Sequence, residues 1–359
     1  MKKYIRYLCL ALLGLFLWDP ALAQPAQTPH HSESVFVDLG THDGLVTDRK
    51  QIQEDRSFTY FPEDYKVIRE TVRAGAVPWM QVLFDEGANL GEHSYVIITS
   101  LYDRDFQYFN AKSLKDWYFR SAFFKGNAVE VELYVAPNEQ DISLRIVGMT
   151  VGEFLGDDIN VMTGRTQCGP TDDRSSTSIP MRDGRLMPLG CTGWTTAGGF
   201  YLTAGHCVNV SSSSLQIMEF DVPASLCNGT TQPAAVTNQY PVNYGHRDWQ
   251  EAGVGDDWGI YDVNANSNTG LTPNEARRSY YHLTKANPSA SIQIRGFGTD
   301  DVPVGCTGYR NADNQTLQWH TGTNLGENVT SSTDIDWEYQ TDTEGGNSGS
   351  AVRASGVLP

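Results

Sequence analysis

Thr203-Ala204-Gly205-His206-Cys207 follows the strand-like Phe200-Tyr201-Leu202 and has Cys191-Thr192-Gly193-Trp194 upstream. A histidine beside a cysteine says little alone, but two downstream motifs belong with it: Gly255-Asp256-Asp257-Trp258-Gly259-Ile260 and Thr343-Glu344-Gly345-Gly346-Asn347-Ser348-Gly349-Ser350. Their order along the chain is His, Asp, Ser. Acyl transfer from an amide needs a nucleophile, a base to take its proton, and an anion that holds the base in one tautomer and stabilises it once charged. Ser348, His206 and Asp257 suit those roles, with Asp256 and Asp262 as alternatives for the acid. The reaction also needs backbone N–H donors aimed at the developing oxyanion. Gly345-Gly346 lets the chain turn there without a Cβ in the way, which makes the N–H groups of Gly346 and Ser348 the candidate donors.

Outward from these motifs the chain reads as all-β. Gly199–Thr203, Trp258–Val263 and Ile292–Phe297 are short apolar segments between long Asn/Ser/Thr/Gly-rich loops, and no convincing helical period appears. Upstream, Ser94–Leu101, Val129–Val135 and the Ile142, Leu144, Ile146 series alternate as half-buried strands do, with turn formers between them. Only Leu114–Phe123 suggests a short helix. The expected organisation is a signal peptide at 1–23, a flexible lead-in at 24–57, a jelly-roll-like β-sandwich domain at 58–156, a linker and mature N-terminal segment at 157–188 and a second all-β domain at 189–359.

The chain has 359 residues, 40% hydrophobic, with 8 Trp, 17 Tyr and 14 Phe, so it can bury real cores and is not a disordered chain. Its net charge of −17 would repel phosphate backbones and anionic lipid heads, which argues against nucleic acid or a membrane surface as the main partner. Lys2, Lys3 and Arg6 precede the apolar run Tyr7–Trp18, and Ala21-Leu22-Ala23 follows. That is the layout of a secretory signal, and the run is shorter than the ~20 residues a membrane helix needs. The expected location is extracellular or periplasmic, with no membrane contact after cleavage. Beyond the signal, Cys168, Cys191, Cys207, Cys227 and Cys306 remain. In an oxidising compartment they should pair, and an odd number leaves one thiol over.

Taken together, these residues resemble the chymotrypsin-fold serine peptidases, especially the bacterial branch containing the glutamyl endopeptidases. The three motifs stand in that family's order. Gly346-Asn347-Ser348-Gly349-Ser350 is similar to its nucleophile loop, and Thr171-Asp172-Asp173-Arg174 resembles an element near the start of its mature enzymes. The resemblance covers about residues 165–359 and implies a double β-barrel. The chain stops at Pro359, soon after Ser348, so the expectation is a barrel pair lacking its last strands. The resemblance also implies a Cys191–Cys207 disulfide stapling the loop that carries His206, and Asp257 as the acid because it directly precedes an apolar strand. It places Asp342 at the base of the specificity pocket, favouring Arg or Lys, and Thr343 where a hydroxyl would bind a substrate carboxylate. Asn347 departs from the Asp that digestive enzymes use to receive a freshly cut N-terminal ammonium, and Ala351 replaces a common Pro.

The implied function is a secreted serine endopeptidase acting on protein or peptide substrates through an acyl-enzyme, with no metal or organic cofactor. The first domain is then a propeptide that folds the peptidase, an inhibitory cap that makes the whole a zymogen, or a binding module for a glycan or protein. The alternative is a catalytically inactive secreted binding protein on a truncated peptidase-like scaffold. An esterase using the same triad ranks lower, because the motif order is not that of α/β-hydrolases. His93, His246 and His282 read as surface residues, Asp172-Asp173 and Asp300-Asp301 as solvated turns, and Cys168, Cys227 and Cys306 as structural.

Overall fold

The computed structural model describes residues 25–52, 58–155, 168, 172–177, 182–253, 255–285, 287, 290–300, 312–329 and 335–354. The expected signal peptide, Cys306 and Asp301 lie outside the described residues. Within them the chain is almost entirely β.

The first domain is a sandwich of two antiparallel sheets. One pairs Ile142–Gly152 with His30–Glu33, Val37–His42 and Trp79–Phe84, and Trp79–Phe84 with Phe124–Lys125. The other runs Lys66–Arg73, Ala128–Val135, Tyr95–Ser100, Phe106–Phe109. Ala128–Val135 shows why the sequence alternates: Val129, Val131, Leu133 and Val135 face inward and are fully buried, while Glu130, Glu132 and Tyr134 face out. The helix here is Ala111–Asp116, opened by a reciprocal cap between Asn110 and Ser113, so it starts earlier than the expected Leu114–Phe123 span and ends before most of it.

Two boundaries differ from expectation. Part of the expected lead-in forms strands instead: His30–Glu33 and Val37–His42 both pair with Ile142–Gly152. Their composition is polar because they bury few side chains and are held by backbone hydrogen bonds, which leave no hydrophobic pattern to read. The supposed linker 157–188 contains Asp183–Pro188, the first strand of the next domain, whose residues are all buried.

That domain begins with a closed antiparallel barrel, in the order Asp183–Pro188, Cys191–Thr195, Tyr201–Thr203, Asp257–Val263, Gln239–Glu251, Leu215–Glu219. Leu186, Tyr201, Leu215, Met218, Tyr240, Val242 and Tyr261 fill it. Arg185 and Glu219 pair inside it at full burial. Such a pair is tolerable only when its remaining polar atoms are met. Here Arg185 also donates to the carbonyls of Gln315 (2.9 Å) and Gln232 (2.7 Å), and the second carboxylate oxygen of Glu219 accepts from Ala234 N–H at 2.8 Å. The rest of the chain adds an antiparallel sheet of Ser175–Ser176, Gln318–Val329, Ser291–Gly296, Ala351–Ala354 and Ile335–Gln340, which does not close into a barrel among the described residues.

Sandwich and barrel share an apolar core. Met187, Ile217 and Val236 of the barrel side belong to the same buried cluster as Trp79, Phe123, Phe124 and Val151. This explains why Trp79–Phe84 and the end of Ile142–Gly152 are buried on both faces rather than alternating. Gln239, fully buried, completes the seam. Its carbonyl accepts from Phe123 N–H at 2.8 Å, and its amide donates to Phe123 C=O at 2.8 Å and Ala234 C=O at 2.7 Å.

Candidate active site

His206 lies in the short helix Gly205–Val208, directly after Tyr201–Thr203. Asp257 opens the neighbouring strand Asp257–Val263, which pairs with Tyr201–Thr203. The adjacency of those strands brings the two side chains together: His206 Nδ1 is 2.7 Å from Asp257 Oδ2, and His206 backbone N–H donates to Asp257 Oδ1 at 2.9 Å. Burial raises the Asp257 carboxyl, but the hydrogen bonds and charge of His206 outweigh it and hold the group below the ordinary carboxylate value. With Asp257 ionised and Nδ1–H as its donor, the ring's lone pair lies on Nε2. Nε2 is buried and makes no hydrogen bond.

Asp256 accepts from the Gln250 amide, and Asp262 faces the exposed His246 at 3.3 Å. Cys191 and Cys207 are disulfide-bonded across a separation of 16 residues, so the residue next to His206 is tied to the strand Cys191–Thr195. Cys168 is free and exposed, and Cys227 is disulfide-bonded.

The loop carrying Ser348 docks on that same strand. Thr192 N–H donates to Ser348 C=O at 2.9 Å, Trp194 Nε1–H donates to Gly349 C=O at 3.0 Å, and Cys207 Sγ lies 3.9 Å from the Ser348 carbonyl oxygen. Ser348 is 3% exposed. Gly346 has φ +99°, and a Cβ there would stand 2.5 Å from Phe297 C=O, so glycine is required on both counts. Asn347 closes the turn: its N–H donates to Glu344 C=O at 2.9 Å and its Oδ1 accepts from Glu344 N–H at 3.2 Å.

Asp342 corrects an expectation. It is 1% exposed, and its two oxygens accept from Cys168 N–H and Asp173 N–H, each at 2.8 Å. A carboxylate so engaged holds the chain segment preceding the barrel and does not present itself to a substrate cation. Thr343 is buried beside it. Asp172 is a second correction: far from a solvated turn, its side chain is 4% exposed and grips the Arg174 guanidinium. Asp300 too is buried, accepting from the Gln318 amide.

Two features gave no sequence signal. His320 Nδ1 accepts from Asp342 N–H at 2.8 Å, and with Asp173 and Asp342 it forms a group whose ligand atoms lie within 4.8 Å of one another. Internal hydrogen bonds already occupy Asp342 and the Nδ1 lone pair. The other is the segment after the expected signal cleavage point. Ala26 N–H donates to Gly190 C=O at 2.8 Å, Gln315 Nε2 donates to Ala26 C=O at 2.7 Å, and Ala26 Cβ lies 3.2 Å from where a Cβ on Gly346 would stand. The chain thus crosses directly beside the Ser348 loop before entering the sandwich.

No protein-family model and no curated protein matches the chain. Among solved structures it is similar to a thermostable serine protease, AL20, from an extremophilic microorganism. That likeness has 11% identity and a TM-score of 0.32, covering 46% of this chain and 72% of that one. A likeness this distant carries no argument for function, which must come from the site itself.

Proposed function

We propose that the chain is a secreted serine endopeptidase. The observation that carries this reading is the 2.7 Å contact of His206 Nδ1 with Asp257 Oδ2, which leaves the Nε2 lone pair unengaged, while the Ser348 loop docks on the strand that is disulfide-bonded to Cys207. Ser348 Oγ attacks the scissile carbonyl while His206 Nε2 takes its proton, and the protonated imidazole is stabilised by Asp257. The Gly346 and Ser348 N–H groups hold the tetrahedral oxyanion. His206 then gives its proton to the leaving amine, and water, activated by the same imidazole, hydrolyses the Ser348 ester.

The test is covalent labelling by a fluorophosphonate together with cleavage of a mixed peptide library. The wild-type chain is expected to label at Ser348, and Ser348→Ala and His206→Gln to abolish both signals. Labelling that survives Ser348→Ala, or a wild-type chain inert in both assays after removal of its first residues, sinks the reading and favours a binding protein.

The seat of Ala26 supports the zymogen form of this proposal. A segment hydrogen-bonded to Gly190 and packed against Gly346 competes with substrate for the surface beside the oxyanion site. A chain beginning at Pro29 is expected to label faster than one beginning at Gln24, on the order of tenfold if the seated state dominates. Equal rates would remove the inhibitory role.

A further inference from the structure

The peptidase reading needs the Gly346 N–H held in place before substrate arrives, yet Asn347, unlike the Asp of the digestive enzymes, carries no charge to draw a cation to the loop. A cation is nevertheless there. Arg174 has a side chain 1% exposed. Asp172 grips it through Nε (2.9 and 3.1 Å) and Nη2 (2.5 Å), and Nη2 also donates to Thr299 C=O at 2.6 Å. Thr299 N–H in turn donates to Gly345 C=O at 2.7 Å. In a trans peptide the C=O and the following N–H point in opposite directions, so fixing Gly345 C=O fixes the direction of Gly346 N–H.

A second observation converges on the same place. A Cβ on Gly298 would stand 2.1 Å from Asn347 Oδ1 and 2.3 Å from Arg174 Nη1. The carboxamide preceding Ser348 and the guanidinium therefore meet over a residue that must lack a side chain. Arg174 Nη1 is buried there with no hydrogen-bond partner, a spare charged donor facing the loop.

We propose that Arg174 is a positioning residue of the oxyanion loop: clamped by Asp172, it holds Thr299, and through Thr299 the Gly345–Gly346 peptide, in the orientation that presents the Gly346 N–H. The supporting cation is thus part of the uncut chain, and the loop is formed without a newly liberated N-terminus. This rests on the peptidase reading for its catalytic meaning. The arrangement of Arg174, Thr299 and Gly345 can be tested separately.

The experiment uses the full chain with Arg174→Gln and Arg174→Lys. Removing one oxyanion donor costs about 10²–10³ in kcat, and a misdirected donor should cost a good part of that, about 10–10². The expected result for Arg174→Gln is that fall in kcat with KM within about twofold, since peptide binding by other contacts is untouched. Arg174→Lys, which keeps charge but not the fork, should recover part of it. Amide hydrogen exchange is read in parallel. It should accelerate in residues 343–350 and stay unchanged in Asp257–Val263. The proposal is overturned if Arg174→Gln leaves loop exchange and kcat as in the wild type, or if exchange rises equally in loop and barrel, which would make Arg174 a general structural staple. Should the Gln variant fail to fold, the same split is required of Arg174→Lys. A wild-type chain inert to fluorophosphonate even after removal of its first residues would refute the peptidase reading, while exchange would still decide whether Arg174 holds the loop.

Discussion

Replacing Gln239 by Leu tests whether sandwich and barrel form one folding unit. The Gln239 side chain is fully buried and satisfies three backbone groups: Phe123 N–H, Phe123 C=O and Ala234 C=O. Leucine is close enough in size to limit any cavity, so the main consequence is three buried polar groups left without partners. Each such group costs about 1–3 kcal/mol. Relaxation and the added apolar contact offset part of the sum, giving an expected loss of about 3–6 kcal/mol. Against a typical domain stability of about 5–15 kcal/mol that is a large fraction. The assay is equilibrium urea unfolding followed by tryptophan fluorescence and far-UV circular dichroism. The wild type should unfold with coincident transitions, because Met187, Ile217 and Val236 share the core of the sandwich. The variant should unfold at a much lower midpoint, or in two steps as docking fails first. A loss under about 1 kcal/mol with a single unchanged transition would refute the reasoning, since it would mean that Gln239 does not bridge the two domains in solution.

Three further outcomes are expected. Asp257 and Asp172 both sit below the ordinary carboxylate value: burial raises each, and the hydrogen bonds and charge of His206 or Arg174 lower it further. A carboxyl with a depressed folded value contributes stability that is present above its unfolded value and lost as pH falls through the folded one. The stability gap between wild type and Asp257→Asn or Asp172→Asn, measured by urea midpoints, should therefore narrow as pH drops below about 5, and a pH-independent gap would contradict this. Joint replacement of Cys191 and Cys207 by Ala should cost about 3 kcal/mol, as expected for a closed loop of this length. It should also slow fluorophosphonate labelling, because the staple lies next to His206; unchanged stability would count against it. Iodoacetamide should modify Cys168 in the unreduced native chain, with a rate still climbing above the ordinary thiol range because burial, then the Asp342 charge, raises its pKa. An unmodified Cys168 would contradict its exposure.

Features that short-range chemistry encodes could be read from the residues in order. Alternation marked the strands within Ser94–Leu101, Val129–Val135 and the Ile142, Leu144, Ile146 series, because each presents one face to a core and the other outward. The His206, Asp257 and Ser348 motifs were legible because a histidine after a strand, an acid before one and a serine after paired glycines each carry a local requirement. Tertiary structure alone decided which partners those residues and their neighbours took. His30–Glu33 and Val37–His42 join the sandwich through backbone pairing, which leaves no mark in side-chain periodicity. Asp342 holds Cys168 and Asp173 rather than facing substrate, Arg174 reaches Thr299, and Ala26 reaches Gly190 and the Gly346 loop. Each contact joins segments more than 100 residues apart. A buried charge or backbone donor takes whichever partner the packing of whole sheets brings within about 3 Å, and no local pattern contains that distance.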